Sequence, residues 1–178
     1  MVERVRKLWS VVFVLPLAAC GGQVVAAPVV EQHAPASVPP SSAAPGTLAA
    51  LDPCGLLSPT DRSTAGVSVL GKPKAIADTR ACDWTMPGTF GVTVTLDDKV
   101  GLAGLDVARK TATKTKVGTH QAMQVSDRKA ADGTCAVLLA VGTSANVQID
   151  VSNNSFSDTP LACRRAGTVA GLVEPKLP

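Results

Sequence analysis

Four cysteines, Cys54, Cys82, Cys135 and Cys163, constrain this chain more than any other feature, because what they do decides how everything between them must fold. No two lie close enough for the C-x₂-C pairs that zinc sites use, so no metal site is expected. A thiol nucleophile needs a histidine base, and residues 51–178 contain one imidazole, His120. An even set of cysteines in an exported domain reads instead as a disulfide framework. Three pairings are open. We favour Cys54–Cys82 and Cys135–Cys163, because each staples an expected helix to a nearby expected strand. Closing a loop of either length contributes about 3–4 kcal/mol in the chain-entropy account.

That reading requires export, and the first residues supply the reason. Arg4, Arg6 and Lys7 form a basic start, and "SVVFVLPLAA" is an apolar run too short to span a bilayer. It runs into "LAAC", Leu17 to Cys20, which resembles the bacterial lipobox. In that motif the cysteine takes a diacylglyceryl group and becomes the new N-terminus. Residues 1–19 therefore read as a lipoprotein signal peptide, with Cys20 as the lipidation site. Two acyl chains suffice for stable anchoring, so the expected address is the cell membrane, lipid-anchored on its extracytoplasmic face. Removing residues 1–19 takes away Arg4, Arg6, Lys7 and Glu3, and the formal charge falls from +3 to +1. A near-neutral mature chain argues against nucleic acid as a partner.

Residues 20–50 read as the lipidated cysteine and a tether. From 21 to 50 there are five prolines, eight alanines and one charged residue, Glu31. Such a composition buries too little apolar surface to offset its ordering entropy. A flexible coil of this length reaches roughly 30 Å on average.

Residues 51–178 are expected to form a single α+β domain. Its aromatics are Trp84, Phe90 and Phe156, with no tyrosine, so the core must be aliphatic, and Trp84 and Phe90 read as packing anchors. Asp52-Pro53 and Ser58-Pro59-Thr60-Asp61 are helix-start signals, and Gly66 can end the second. "RACDWTM" and "FGVTVTLD", joined by Pro87-Gly88, read as a hairpin, with Phe90, Val92, Val94 and Leu96 on one face. "GLAGLDVARKTA" has apolar positions near helical spacing and reads as a helix. "HQAMQVSD", "TCAVLLAVG" and "ANVQIDVSN" read as strands, the last two a second hairpin. The chain closes with a helix from Thr159-Pro160. The expectation is an antiparallel sheet of about five strands, with N-terminal and C-terminal helices packed on it and two disulfides.

Chemistry is sparse. No nucleophile elbow, phosphate loop, zinc-protease helix or calcium loop is present, and no catalytic residue or cofactor is expected. His120 follows Gly118-Thr119 at a strand entry, where a turn or packing role is the simpler reading. Arg109, Lys110, Lys114 and Lys116 form the clearest charge cluster. It suits a solvated surface, or an anionic partner such as phospholipid headgroups or an acidic envelope polymer.

"LAAC", the Pro/Ala/Ser spacer, "LDPCGLLSPTD", "CDW" and "GTCAVLLAV" together resemble the actinobacterial lipoprotein family labelled domain of unknown function 3558. Its most specific element, D-P-C-x-L-L-[ST]-P, is matched by Asp52, Pro53, Cys54, Leu56, Leu57, Ser58 and Pro59. The resemblance implies an exported envelope lipoprotein with an α+β domain and paired cysteines. It brings no reaction and no catalytic residue. The expected function is a non-catalytic module that binds an unknown ligand or envelope protein. The alternatives are an envelope hydrolase or transferase using His120, and an assembly or inhibitor module without a pocket.

Overall fold

The strongest alternation in the sequence forms the centre of the structure. In the computed structural model, which describes residues 47–107 and 111–178, β2 (Thr79–Met86) and β3 (Phe90–Asp97) make the first hairpin. β6 (Thr134–Val141) and β7 (Ala145–Asn153) make the second. β5 (His120–Val125) is the remaining strand foreseen from the sequence. Two more flank these: β1 (Lys72–Ile76) and β4 (Ala112–Val117). All seven form one antiparallel sheet in the order β1-β2-β3-β7-β6-β5-β4.

Among the described residues the strand count is therefore seven rather than about five, and both additions are edges. Every residue of β1 is exposed, so "KPKAI" has no buried face to impose alternation. Its lysines and Pro73 also discourage pairing with another chain. "ATKTKV" in β4 follows the same logic at the opposite edge.

One face of the sheet is packed. Val92, Val94, Leu96, Leu139, Val147, Ile149 and Val151 are buried there with Trp84 and Phe90. α2 (Thr159–Val173) lies over β6 and β7 and buries Ala162, Ala166, Val169, Ala170 and Val173. Alanines at these positions let the helix approach the sheet closely. The Asp158 side chain accepts a hydrogen bond from the Leu161 N–H at its start (3.0 Å). Asn153, itself buried, donates to the carbonyls of Ser157 and Asp158 (both 2.9 Å), which fixes the loop into the helix. Arg165 bonds back to the Asn153 side-chain oxygen (2.5 Å) and lies over the Phe90 ring, 4.0 Å from its centroid.

The N-terminal helix is reduced to two short pieces. Pro53–Leu56 is a 3₁₀ turn capped by Asp52, whose carboxylate accepts from the Cys54 N–H (3.0 Å). α1 (Pro59–Ala65) has a capping box between Ser58 and Asp61, and it ends at Gly66, whose φ of 74° suits glycine. None of its residues is buried. The apolar residues around it, Leu56, Leu57 and Val67, do the packing instead. A turn at Leu48–Ala50 precedes these pieces. Leu48 is buried, and Arg80 donates to the carbonyls of Leu48 (3.0 Å) and Leu51 (2.6 Å).

The helix expected over residues 101–112 does not form in its described part, Ala108, Arg109 and Lys110 lying outside the described residues. A single 3₁₀ turn, Leu102–Gly104, gives way to irregular chain in which the Val107 N–H donates to the Leu105 carbonyl (3.0 Å). Gly101 and Gly104 weaken helix formation, and the segment is held down elsewhere. A Cβ on Gly101 would overlap the Thr143 carbonyl oxygen, and the buried Asn146 donates to the Val100 carbonyl (2.7 Å). The described part of the segment, up to Val107, runs as a strap from the end of β3 along the far side of the sheet.

Candidate functional site

The cysteines are paired as the sequence suggested: Cys54 with Cys82 and Cys135 with Cys163, each with a Cα–Cα distance of 5.0 Å. The first bond ties the turn at Pro53–Leu56 to β2, and the second ties β6 to α2. They belong to the architecture. Cys20 lies outside the described residues.

His120 meets Glu174 and does so away from any cleft described below. Its Nδ1 lies 2.9 Å from a Glu174 carboxylate oxygen, and its Nε2 lies 3.3 Å from the Pro178 carbonyl oxygen. The Thr119 N–H and hydroxyl donate to the same Glu174 oxygen (2.8 and 3.0 Å). These bonds, that of His120 first, hold the Glu174 carboxyl below its usual range. Two residues on, Lys176 donates to the Asp61 carboxylate (2.6 Å) and to the Leu56 carbonyl. Asp61 is lowered to about 2, chiefly by Lys176 and then Ser58. The turn Glu174–Lys176 after α2 is thus a clasp between the β4–β5 turn and the N-terminal pieces.

The other face of the sheet is where concave surface lies. Alternation leaves a lateral row across all seven strands: Lys72, Asp83, Thr93, Asp150, Ala136, Val125 and Ala112. Thr93 stands between two aspartates and donates to Asp83 (2.9 Å), which also accepts from Thr85 (2.8 Å). Gln148 donates to both oxygens of Asp150 (2.9 Å each). Burial raises the Asp150 carboxyl despite that help. Asp127 is lowered by the backbone N–H groups of Ala130 and Lys129. Asp83, Thr93, Asp150, Thr134, Asp132 and Asp127 line a polar cleft of about 460 Å³.

The next row, Lys74, Ala81, Thr95, Gln148, Leu138, Met123 and Lys114, runs along the same face. Thr95 and Leu138 are buried on this face. Between the strap and the β4–β5 hairpin lies a groove of about 670 Å³, lined by Leu102, Leu105 and Val107 on one side and Ala112, Lys114 and Met123 on the other.

Lys114 and Lys116 are exposed on edge strand β4, and Arg109 and Lys110 lie outside the described residues. Sequence reasoning missed the strap, the groove and Asp150. Gly101 was the available signal for the strap, since a glycine beside an apolar run marks close backbone approach as well as helix weakness.

Fold and surface together define a class: a disulfide-stapled α+β domain whose sheet is closed on one face by a helix and strapped on the other by a loop. The chain belongs to the family described as "Protein of unknown function (DUF3558)", which matches residues 15–176. No curated protein and no solved structure matches it.

Proposed function

We propose that the chain is a lipoprotein of the cell envelope, tethered through Cys20 to the extracytoplasmic face of the membrane, whose domain is a non-catalytic binding module. The observation that carries the binding role is the strapped face. The strap stops short of sealing the sheet and leaves an apolar groove within the ~300–1,000 Å³ range typical of small-ligand sites. The order of segments supports the tether: basic start, apolar run, "LAAC", then a Pro/Ala-rich spacer ahead of the folded part.

An envelope hydrolase or transferase would need His120 free to act as base. Both of its ring nitrogens face partners, Glu174 and the Pro178 carbonyl, and it lines neither the polar cleft nor the groove. The clasp role accounts for it.

Two measurements test the reading. The mass of the protein extracted from envelopes should equal the chain from Cys20 onward plus a diacylglyceryl group, and Cys20→Ala should release the protein from the membrane. An unmodified Cys20 would remove the tether. Native mass spectrometry of the wild-type protein should show a co-purifying small molecule that Leu105→Asp, on the strap, loses. Equal occupancy in that variant would move binding away from the groove.

A further inference from the structure

The groove beneath the strap also indicates what kind of molecule it takes; this step rests on the reading that the strapped face binds a ligand. Its walls are mostly aliphatic or thioether, Leu102, Leu105 and Val107 facing Ala112 and Met123, and its polar members are the exposed Gln121 and Lys114. Among the described residues no aromatic side chain lines the groove, so they offer no platform for a flat ring. Flexible walls of leucine and methionine suit a flexible alkyl chain. Among the described residues, Lys114 is the single charged member of the lining, and it is exposed. Lys116 projects from the same face of β4, two residues further along, and is exposed as well.

Lys72 and Lys74 stand on this face at the β1 edge, and the carboxylates of the face also lie apart from the groove. Asp83 and Asp150, which would repel an anion, line the separate polar cleft and stand on β2 and β7. Lys114 stands on β4, at the opposite edge from β1. Asp106 belongs to the strap but does not line the groove. An apolar trough with cations at its edge is complementary to a molecule with one apolar chain and one negative end. We propose that the groove holds the alkyl chain of a single-chain anionic lipid, with its head against Lys114.

The test uses the protein in its own envelope membranes. Three photoreactive probes share one alkyl chain and differ in the head: palmitate, hexadecanol and hexadecyltrimethylammonium. Labelled peptides are mapped by mass spectrometry. The palmitate probe should label peptides containing residues 102–107 and 112–123 about tenfold more than the ammonium probe, equivalent to about 1.4 kcal/mol. Lys114→Glu, at an exposed position that leaves the fold intact, should reverse that order. Leu105→Asp should abolish labelling by all three. Equal labelling by the three heads, or palmitate labelling unchanged in Lys114→Glu, would overturn the anionic head while leaving the groove as a ligand site. Strap labelling no higher than in Leu105→Asp for every probe would overturn both.

Discussion

The two faces of the sheet are built by alternate residues of the same strands, yet they are closed by different means. On one face α2 lies flat on β6 and β7, and both disulfides anchor to strand residues, Cys82 and Cys135, that are themselves buried. On the other, a loop pinned at Gly101 and Val100 borders an apolar groove, and a polar cleft opens among Asp83, Thr93 and Asp150. The helix face holds most of the aliphatic burial and so most of the stability. The strapped face is free to be shaped for something else. A slip of one residue in register would exchange the two, and the central β3–β7 pairing, which sets Val92, Val94 and Leu96 against Val151, Ile149 and Val147, specifies against it.

The contrast can be broken most severely at the disulfides. Cys135→Ala with Cys163→Ala should lower unfolding stability by about 3–4 kcal/mol, measured by urea denaturation without reductant. Cys54→Ala with Cys82→Ala should lose a similar amount, because both loops have a sequence separation of 28. A loss below about 1 kcal/mol in either half would mean that helix-face packing alone holds that half. Next in size, Ile149→Ala on the helix face should cost about 2–5 kcal/mol. Met123→Ala, beneath the strap and only partly buried, should cost under half as much. Equal losses would erase the distinction between the faces.

Gly101→Ala attacks the strap itself. It should destabilise the domain by about 1–3 kcal/mol, as overpacking does, and expose residues 102–107 to limited proteolysis. A protease pattern identical to wild type would show that the strap is held without that close approach.

The smallest and most discriminating effects are in pH. The native protein holds Asp61 at about 2 and Glu174 below its ordinary range. Their stabilising contribution is complete above the ordinary carboxylate range and is lost as pH falls toward about 2. Asp61→Asn should therefore cost about 1 kcal/mol near neutral pH, allowing for solvent screening, and little in strong acid. Asp150 has the opposite sign. Burial raises it, so its ionisation costs stability as pH climbs above the ordinary aspartate value of 3.8. Asp150→Asn should raise the melting temperature at neutral pH and change it little in acid. Melting curves of both variants across pH would sharpen the contrast, and shifts of the same sign would collapse it.

How much of this was legible depended on whether a residue's role repeats along the chain. β2, β3, β6 and β7 were readable because each turns apolar residues toward one core at alternate positions, whereas β5 offers only Ala122 between His120 and Gln124. β1 and β4 were not, because an edge strand with exposed side chains leaves no such rhythm in "KPKAI" or "ATKTKV". The cysteine pairing was readable from spacing and expected elements together. The strap was misread because Leu102 and Leu105 lie three apart, a spacing that also suits an amphipathic helix, while its true determinants, Thr143 and Asn146, are some forty residues away. The groove draws on the strap, β4 and β5, and the clasp joins Glu174 to His120 and Lys176 to Asp61. Such sites exist only after folding brings distant segments together, and no local pattern announces them.

The entry of the chain into the domain has a mechanical consequence. Among the described residues, a pull from the N-terminal side soon meets Leu48, which is buried and whose carbonyl is gripped by Arg80 of β2. The same guanidinium holds Leu51, and three residues later the Cys54–Cys82 bond enters β2 as well. Load is therefore delivered, through side-chain hydrogen bonds backed by a covalent bond, to a strand paired on both sides. It bypasses exposed β1, which could be unzipped one hydrogen bond at a time, and α1, which buries nothing. Drag on the domain would have to shear β2 from its neighbours or break a sulfur–sulfur bond before the strapped face felt it.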